Sequence, residues 1–130
     1  VSAAAGETVL LVEDEPSVKW FVSRVLAQQG YSLLVAANGE EALELLTGPA
    51  GSTVKLILSD GVMPHMGGLA LAKALRARGI TTPLILISGH PLREELPVLQ
   101  DLGIQAWLDK PASSEVLAET IEDVLARAAC

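Results

Sequence analysis

From Glu7 onward, short apolar runs alternate with longer segments in which apolar residues recur every three or four positions. TVLLV, residues 8 to 12, is too short and too uniformly apolar for a surface helix, and it predicts a buried strand. Pro16 and Ser17 open a helix that turns Val18, Phe21, Val22, Val25 and Leu26 inward and stops at Gly30. Trp20 falls off that stripe, where it is placed to cover an edge. YSLLVAA is a second strand, and NGEEALELL is a short helix with Asn38 as its cap and Ala42, Leu45 and Leu46 inward. TGPAGST, residues 47 to 53, is the one loop of linker-like composition. VKLILS then forms a third strand that delivers Asp60 at its carboxyl end.

A helix from about Gly68 to Arg78 puts Leu69, Ala72 and Leu75 on one face. TPLILIS is a fourth strand, with Pro83 at the only strand position that suits a proline. Residues 91 to 102 predict a weaker helix, interrupted by Pro97. IQAWLD is a short fifth strand, and Ser113 or Ser114 begins a last helix with Val116, Ile121, Val124 and Leu125 on its apolar face. Five strands alternating with five helices imply an α/β fold: a parallel sheet covered by helices on both faces, because each right-handed helical crossover returns the chain to the same edge. In such a sheet, binding residues collect beyond the carboxyl ends of the strands.

Composition narrows the classes. The 130 residues are half apolar and fit one domain, expected over residues 7–128 with short flanks at 1–6 and 129–130. With only nine Lys and Arg and a net charge of −7, no direct contact with nucleic acid is expected. Cys130, the only cysteine, allows neither an intrachain disulfide nor a thiolate metal cluster and favours a reducing, cytoplasmic setting. No apolar run reaches the roughly 18 residues of a membrane span, so no direct membrane contact is expected. The start without Met and the AAAG flank point to a piece of a longer protein.

The strand ends bring the chemistry together. Glu13, Asp14 and Glu15 follow the first strand, Asp60 ends the third, Ser88, Gly89 and His90 end the fourth, and Asp109, Lys110 and Pro111 end the fifth. Each has a plain reading: a solvated capping turn for Glu13 to Glu15, a turn former for Asp60, a hydroxyl bonded to its own backbone for Ser88, a surface lysine for Lys110. Jointly they form an acidic cup with one ammonium group. Carboxylates so gathered repel unless a cation compensates, and Mg²⁺ suits a few carboxylates, a carbonyl and waters. Calcium is an alternative on ligands alone, although the twelve-residue calcium loop is absent. Zinc is poorly supported, because His65 and His90 are isolated and read as solvent-facing. Beside such an ion, Asp60 could act as a nucleophile that forms an acyl phosphate, with Lys110 and Ser88 stabilising the transferred oxygens. Neither a GxxxxGK[ST] nor a GxGxxG loop is present, which disfavours ATP and nicotinamide nucleotides.

VLLVEDE, LILSDGVMP, PLILISG and WLDKP, in register on the predicted sheet, resemble the receiver domain of two-component response regulators over about residues 7 to 128. The resemblance implies a flavodoxin-like, doubly wound fold with strand order 2-1-3-4-5 and five helices. It also implies that Asp60 accepts a phosphoryl group from a phosphohistidine on a sensor histidine kinase or a histidine phosphotransfer domain. Asp14 matches the acid that binds Mg²⁺ directly, Glu13 its neighbour that reaches the ion through water, and Val62 the residue whose carbonyl completes the set. Lys110 matches the lysine that pairs with the phosphoryl group, and Ser88 the switch hydroxyl. Trp107 matches the aromatic switch, with packing as its plain alternative. Val62 and His90 match the two positions that tune phosphoryl loss, and Gly89 removes bulk beside them.

Trp107 is bulkier than the usual Tyr or Phe, and Ala112 stands where a phenylalanine is frequent. The face of the fourth helix, fifth strand and fifth helix is implied as a partner or homodimer surface. Such a domain promotes its own phosphorylation and dephosphorylation and is not a free-standing metabolic enzyme. A cytoplasmic part of a hybrid sensor kinase is one expected parent. The alternatives are a pseudo-receiver that signals by contacts alone and an aspartyl-phosphate phosphatase, whose acid-base residue and cap are not evident.

Overall fold

The computed structural model describes residues 7–60, 68–88, 104–109 and 113–128. Five parallel strands, β1 (Thr8–Val12), β2 (Ser32–Ala36), β3 (Val54–Asp60), β4 (Leu84–Ser88) and β5 (Ile104–Asp109), stand in the order β2-β1-β3-β4-β5. The reversal of direction at β1 puts β1 and β3 side by side at the centre. The predicted helix over 91–102 lies outside the described residues.

The side-chain period of two sorts the strands into two cores. Leu10, Val12, Ile57, Leu84 and Leu86 face one way and pack with α2 (Gly39–Thr47) and α3 (Gly68–Ala77) through Ala42, Leu46, Leu71, Ala72 and Leu75. Val9, Leu11, Leu58, Ile85 and Ile87 face the other way, against α1 (Pro16–Gln28) and the C-terminal helix (Ser114–Ala128). Val54 and Leu56 are two residues apart yet belong to opposite cores, because the register moves from Thr8↔Val54 to Val9↔Leu56 and leaves Lys55 as an extra residue. Gln105 does the same between Leu84↔Ile104 and Ile85↔Ala106.

Two inward assignments from periodicity are corrected. Phe21 is 37% exposed and Val116 46% exposed. The buried phase of α1 runs through Val22, Val25 and Leu26, and that of the C-terminal helix through Leu117, Ile121, Val124 and Leu125. Phe21 and Val116 each precede the buried phase by one residue, about 100° around the helix. Trp20 is further out still, at 64% exposed, with the Arg24 guanidinium 4.9 Å above its ring. Within residues 47 to 53, the loop of linker-like composition, Pro49–Thr53 forms a 3-10 turn, and a Cβ on Gly51 would run into the Leu46 carbonyl.

The connections at the amino end of the sheet close on the backbone. Gly30 and Gly79 adopt φ 87° and 76°. The N–H of Gly30 donates to Ala27 and that of Tyr31 to Leu26, while Gly79 and Ile80 repeat the pair on Arg76 and Leu75. These are glycine-ended helix caps that satisfy the last carbonyls of α1 and α3. The Arg76 guanidinium then donates to the carbonyls of Ile80 (2.6 Å) and Thr82 (2.9 Å), tying the α3 terminus to the segment that enters β4. Its partial burial lowers its pKa from the ordinary arginine value through desolvation. Among the described residues no helix is long and apolar enough to cross a membrane.

Candidate functional site at the carboxyl edge of the sheet

Strand register places the predicted site residues. Val12 pairs with Ser59, so Glu13, the first residue past β1, comes level with Asp60, the last residue of β3, on neighbouring strands about 4.8 Å apart. Asp60 pairs with Ile87, and one residue further along β4 Ser88 pairs with Asp109. The backbone thus runs Glu13, Asp60 and Ser88 along adjoining strand ends. Trp107 lies on β5 opposite Leu86. For Asp60, Ser88 and Trp107 the strand position is described and the side chain is not. Val62, His65, Gly89, His90, Lys110 and Ala112 lie outside the described residues.

The three consecutive acids after β1 have separate employments. Glu13 is only 2% exposed, and its Oε2 accepts the N–H of Asp14 at 3.1 Å and of Glu15 at 3.2 Å. Its own N–H donates to the Ala36 carbonyl at 3.0 Å, continuing the β1–β2 ladder past the strand end. Glu15 caps α1: its Oε1 accepts the Ser17 hydroxyl at 3.1 Å and, at a long 3.5 Å, the Ser17 N–H. Asp14, between them, is exposed. The capping reading therefore holds for Glu15.

At the next connection, the Asn38 side chain accepts the Glu41 N–H at 3.0 Å and the Glu41 carboxylate accepts the Ala37 N–H at 3.4 Å, a reciprocal cap for α2. Of the two serines offered as the start of the last helix, Ser113 does the capping, accepting the Val116 N–H at 3.2 Å.

Among the described residues, no group of three or more His, Cys, Asp or Glu side chains is assembled to hold a metal ion. The donor chemistry on this edge nevertheless suits a hard divalent cation. An exposed carboxylate, Asp14, follows β1, the Asp60 backbone ends the adjoining strand, and no nitrogen or sulfur ligand stands among the described residues of this edge.

Sequence reasoning missed the inward turn of Glu13 and the Arg76 tie. A basic residue in the last helical turn, three positions before a glycine, was the available signal for Arg76. A glutamate bonding to the next two amides leaves no periodic trace at all.

A parallel sheet covered by helices on both faces, with acidic residues where β1 and β3 end at its carboxyl edge, defines the class of protein. Residues 9–122 match the response regulator receiver domain, and the chain belongs to that family. Over 121 residues it is 38% identical to the sensor kinase CckA of Brucella abortus (strain 2308), covering 91% of this chain and 12% of that protein. Over 113 residues it is 31% identical to the sensor histidine kinase RcsC of Salmonella typhimurium, covering 87% of this chain and again 12% of that protein. The chain therefore spans a small part of these curated relatives. The chemotaxis protein CheY4 of Vibrio cholerae superposes with a TM-score of 0.80 at 32% identity, covering 92% of this chain and 99% of that one. A receiver domain relays a two-component signal through phosphorylation of an aspartate, and it is not a free-standing metabolic enzyme.

Proposed function

We propose that Asp60 is the phosphoryl acceptor and that Mg²⁺ is held beside it by Asp14, Asp60 and the main-chain carbonyl of Val62, next to Glu13. The observation that carries this reading is the register of β1 and β3, which sets the acidic turn beside Asp60 at the carboxyl edge of the sheet. A carboxylate oxygen of Asp60 attacks the phosphorus of a phosphohistidine. The new O–P bond forms as the P–N bond breaks, and the electron pair stays on the imidazole, which takes up a proton. Lys110 and Ser88 meet the charge on the transferred oxygens. A bound Mg²⁺ supplies neutralisation of that charge. Reversal to the resting state is attack of water on phosphorus, which regenerates the Asp60 carboxylate and releases inorganic phosphate.

The phosphoryl charge shifts an equilibrium between two states through Ser88 and Trp107, while Val62, Gly89 and His90 set how long it lasts. The domain extends over residues 7–128 with short flanks, and a helix within 91–102 completes five helices about the sheet. That helix, β5 and the C-terminal helix form the face for an output partner or a second copy. The phosphoryl donor is a sensor histidine kinase or a histidine phosphotransfer domain, in a cytoplasmic setting within a larger sensor protein; the two kinases named above support this through their similarity.

The test is incubation with acetyl phosphate and Mg²⁺ followed by intact mass. One phosphoryl group is expected on the wild-type chain and none on Asp60→Asn or after chelation. Persistent absence of labelling, under conditions that label another receiver, rejects the reading.

A further inference from the structure

Glu13 occupies a position at which a receiver resemblance implies a carboxylate that serves the cation, yet its carboxylate is bent back into its own turn. It is 2% exposed, and one oxygen, Oε2, takes the N–H groups of both Asp14 and Glu15. Its main-chain N–H is locked to Ala36 at the same time. Residues 13 to 15 are therefore fixed at both ends: by the sheet through the Glu13 amide, and by the α1 cap through Glu15 and Ser17. Asp14 and Glu15 are both exposed, and of the two Glu15 has its carboxylate engaged by Ser17.

We infer that Glu13 is a positioning residue, which fixes the β1–α1 turn through the amides of Asp14 and Glu15 and so presents the Asp14 carboxylate to the cation. This rests on the cation site of the proposed function. The chemistry separates the two neighbours by sign. A carboxylate kept only for a cation repels its acidic neighbours when the cation is absent, so neutralising it stabilises the metal-free protein. A buried carboxylate that accepts main-chain N–H groups of its own turn stabilises the metal-free protein, so deleting it does the reverse.

Two readouts on the whole chain test this: Tm without metal and Mg²⁺ affinity by titration calorimetry. Glu13→Ala is expected to lower the metal-free Tm by roughly 5–10 °C, and Asp14→Asn to leave it level or raise it. Glu13→Gln, whose amide oxygen can take the same two N–H groups, is expected to recover most of the lost Tm. Mg²⁺ affinity is expected to fall by at least about tenfold in Glu13→Ala, with Glu13→Gln recovering about threefold of that loss, as for a residue that orients a ligand.

A rise in metal-free Tm for Glu13→Ala overturns the inference. So does a Glu13→Gln chain that regains its Tm but binds Mg²⁺ no better than Glu13→Ala, since charge alone would then be at work. Failure of the wild-type chain to bind Mg²⁺ overturns the cation reading of the proposed function, and the positioning role with it. Normal wild-type binding with either of the first two results overturns the positioning role alone.

Discussion

The two ends of the sheet are built from different materials. At the amino end, the turns after α1 and α3 are closed by backbone: left-handed Gly30 and Gly79, paired N–H bonds to the last helical carbonyls, and the Arg76 guanidinium on Ile80 and Thr82. At the carboxyl end, the turns after β1 and β2 are closed by side-chain oxygens of Glu13, Glu15, Asn38 and Glu41. The first arrangement pairs its polar groups with main-chain carbonyls. The second uses side-chain oxygens as fasteners and leaves one more acid, Asp14, exposed in the turn after β1. Substitutions at the amino end should therefore change stability without changing chemistry, and those of Asp14 and Asp60 should do the opposite.

The sheet between the two ends sets the scale. Leu58→Ala, in the middle of β3 and fully buried, is expected to lose about 2–5 kcal/mol in denaturant unfolding. Arg76→Met removes both carbonyl contacts at the amino end and is expected to lose roughly 1.5–3 kcal/mol. At a temperature where that variant stays folded, its extent of labelling by acetyl phosphate should equal the wild type; a proportionate loss of labelling would erase the distinction between the ends. Gly79→Ala forces a side chain into φ 76° with open space around it, so the expected loss is the backbone term alone, about 1–2 kcal/mol. Trp20→Ala, although it removes the largest exposed apolar side chain of α1, is expected to change unfolding by no more than about 1 kcal/mol, the scale of an exposed cation–π contact. A larger loss there would mean that the indole packs more tightly than its exposure indicates.

How far the sequence revealed this division follows from the range of each interaction. The strands were legible because TVLLV, VKLILS and TPLILIS are apolar on both faces, as a sheet covered twice requires. The caps at Asn38 and Gly30 were legible because residue type alone selects those conformations. The extra residues Lys55 and Gln105 were not: Val54 and Leu56 look like one face until the register with β1 is known. Phe21 and Val116 looked inward because an apolar stripe has soft edges and only the neighbouring helix settles where it stops. At the site, the placement of the turn after β1 next to the end of β3 follows from strand order, and strand order from the alternation of elements. The contrast between Glu13 and Asp14 does not, since both are acids in an EDE run and only three-dimensional contact shows that one serves the turn.

The central claim is that the carboxyl edge gathers its acids for phosphoryl transfer to Asp60. The most direct measurement is the intact mass of the wild-type and Asp60→Asn chains after acetyl phosphate and Mg²⁺, with peptide mapping of the labelled site. A single Mg²⁺-dependent phosphoryl group is expected on the peptide containing Asp60 and none on the variant. A phosphoryl group that persists in Asp60→Asn, or that maps to Asp14 or Asp109, would contradict it.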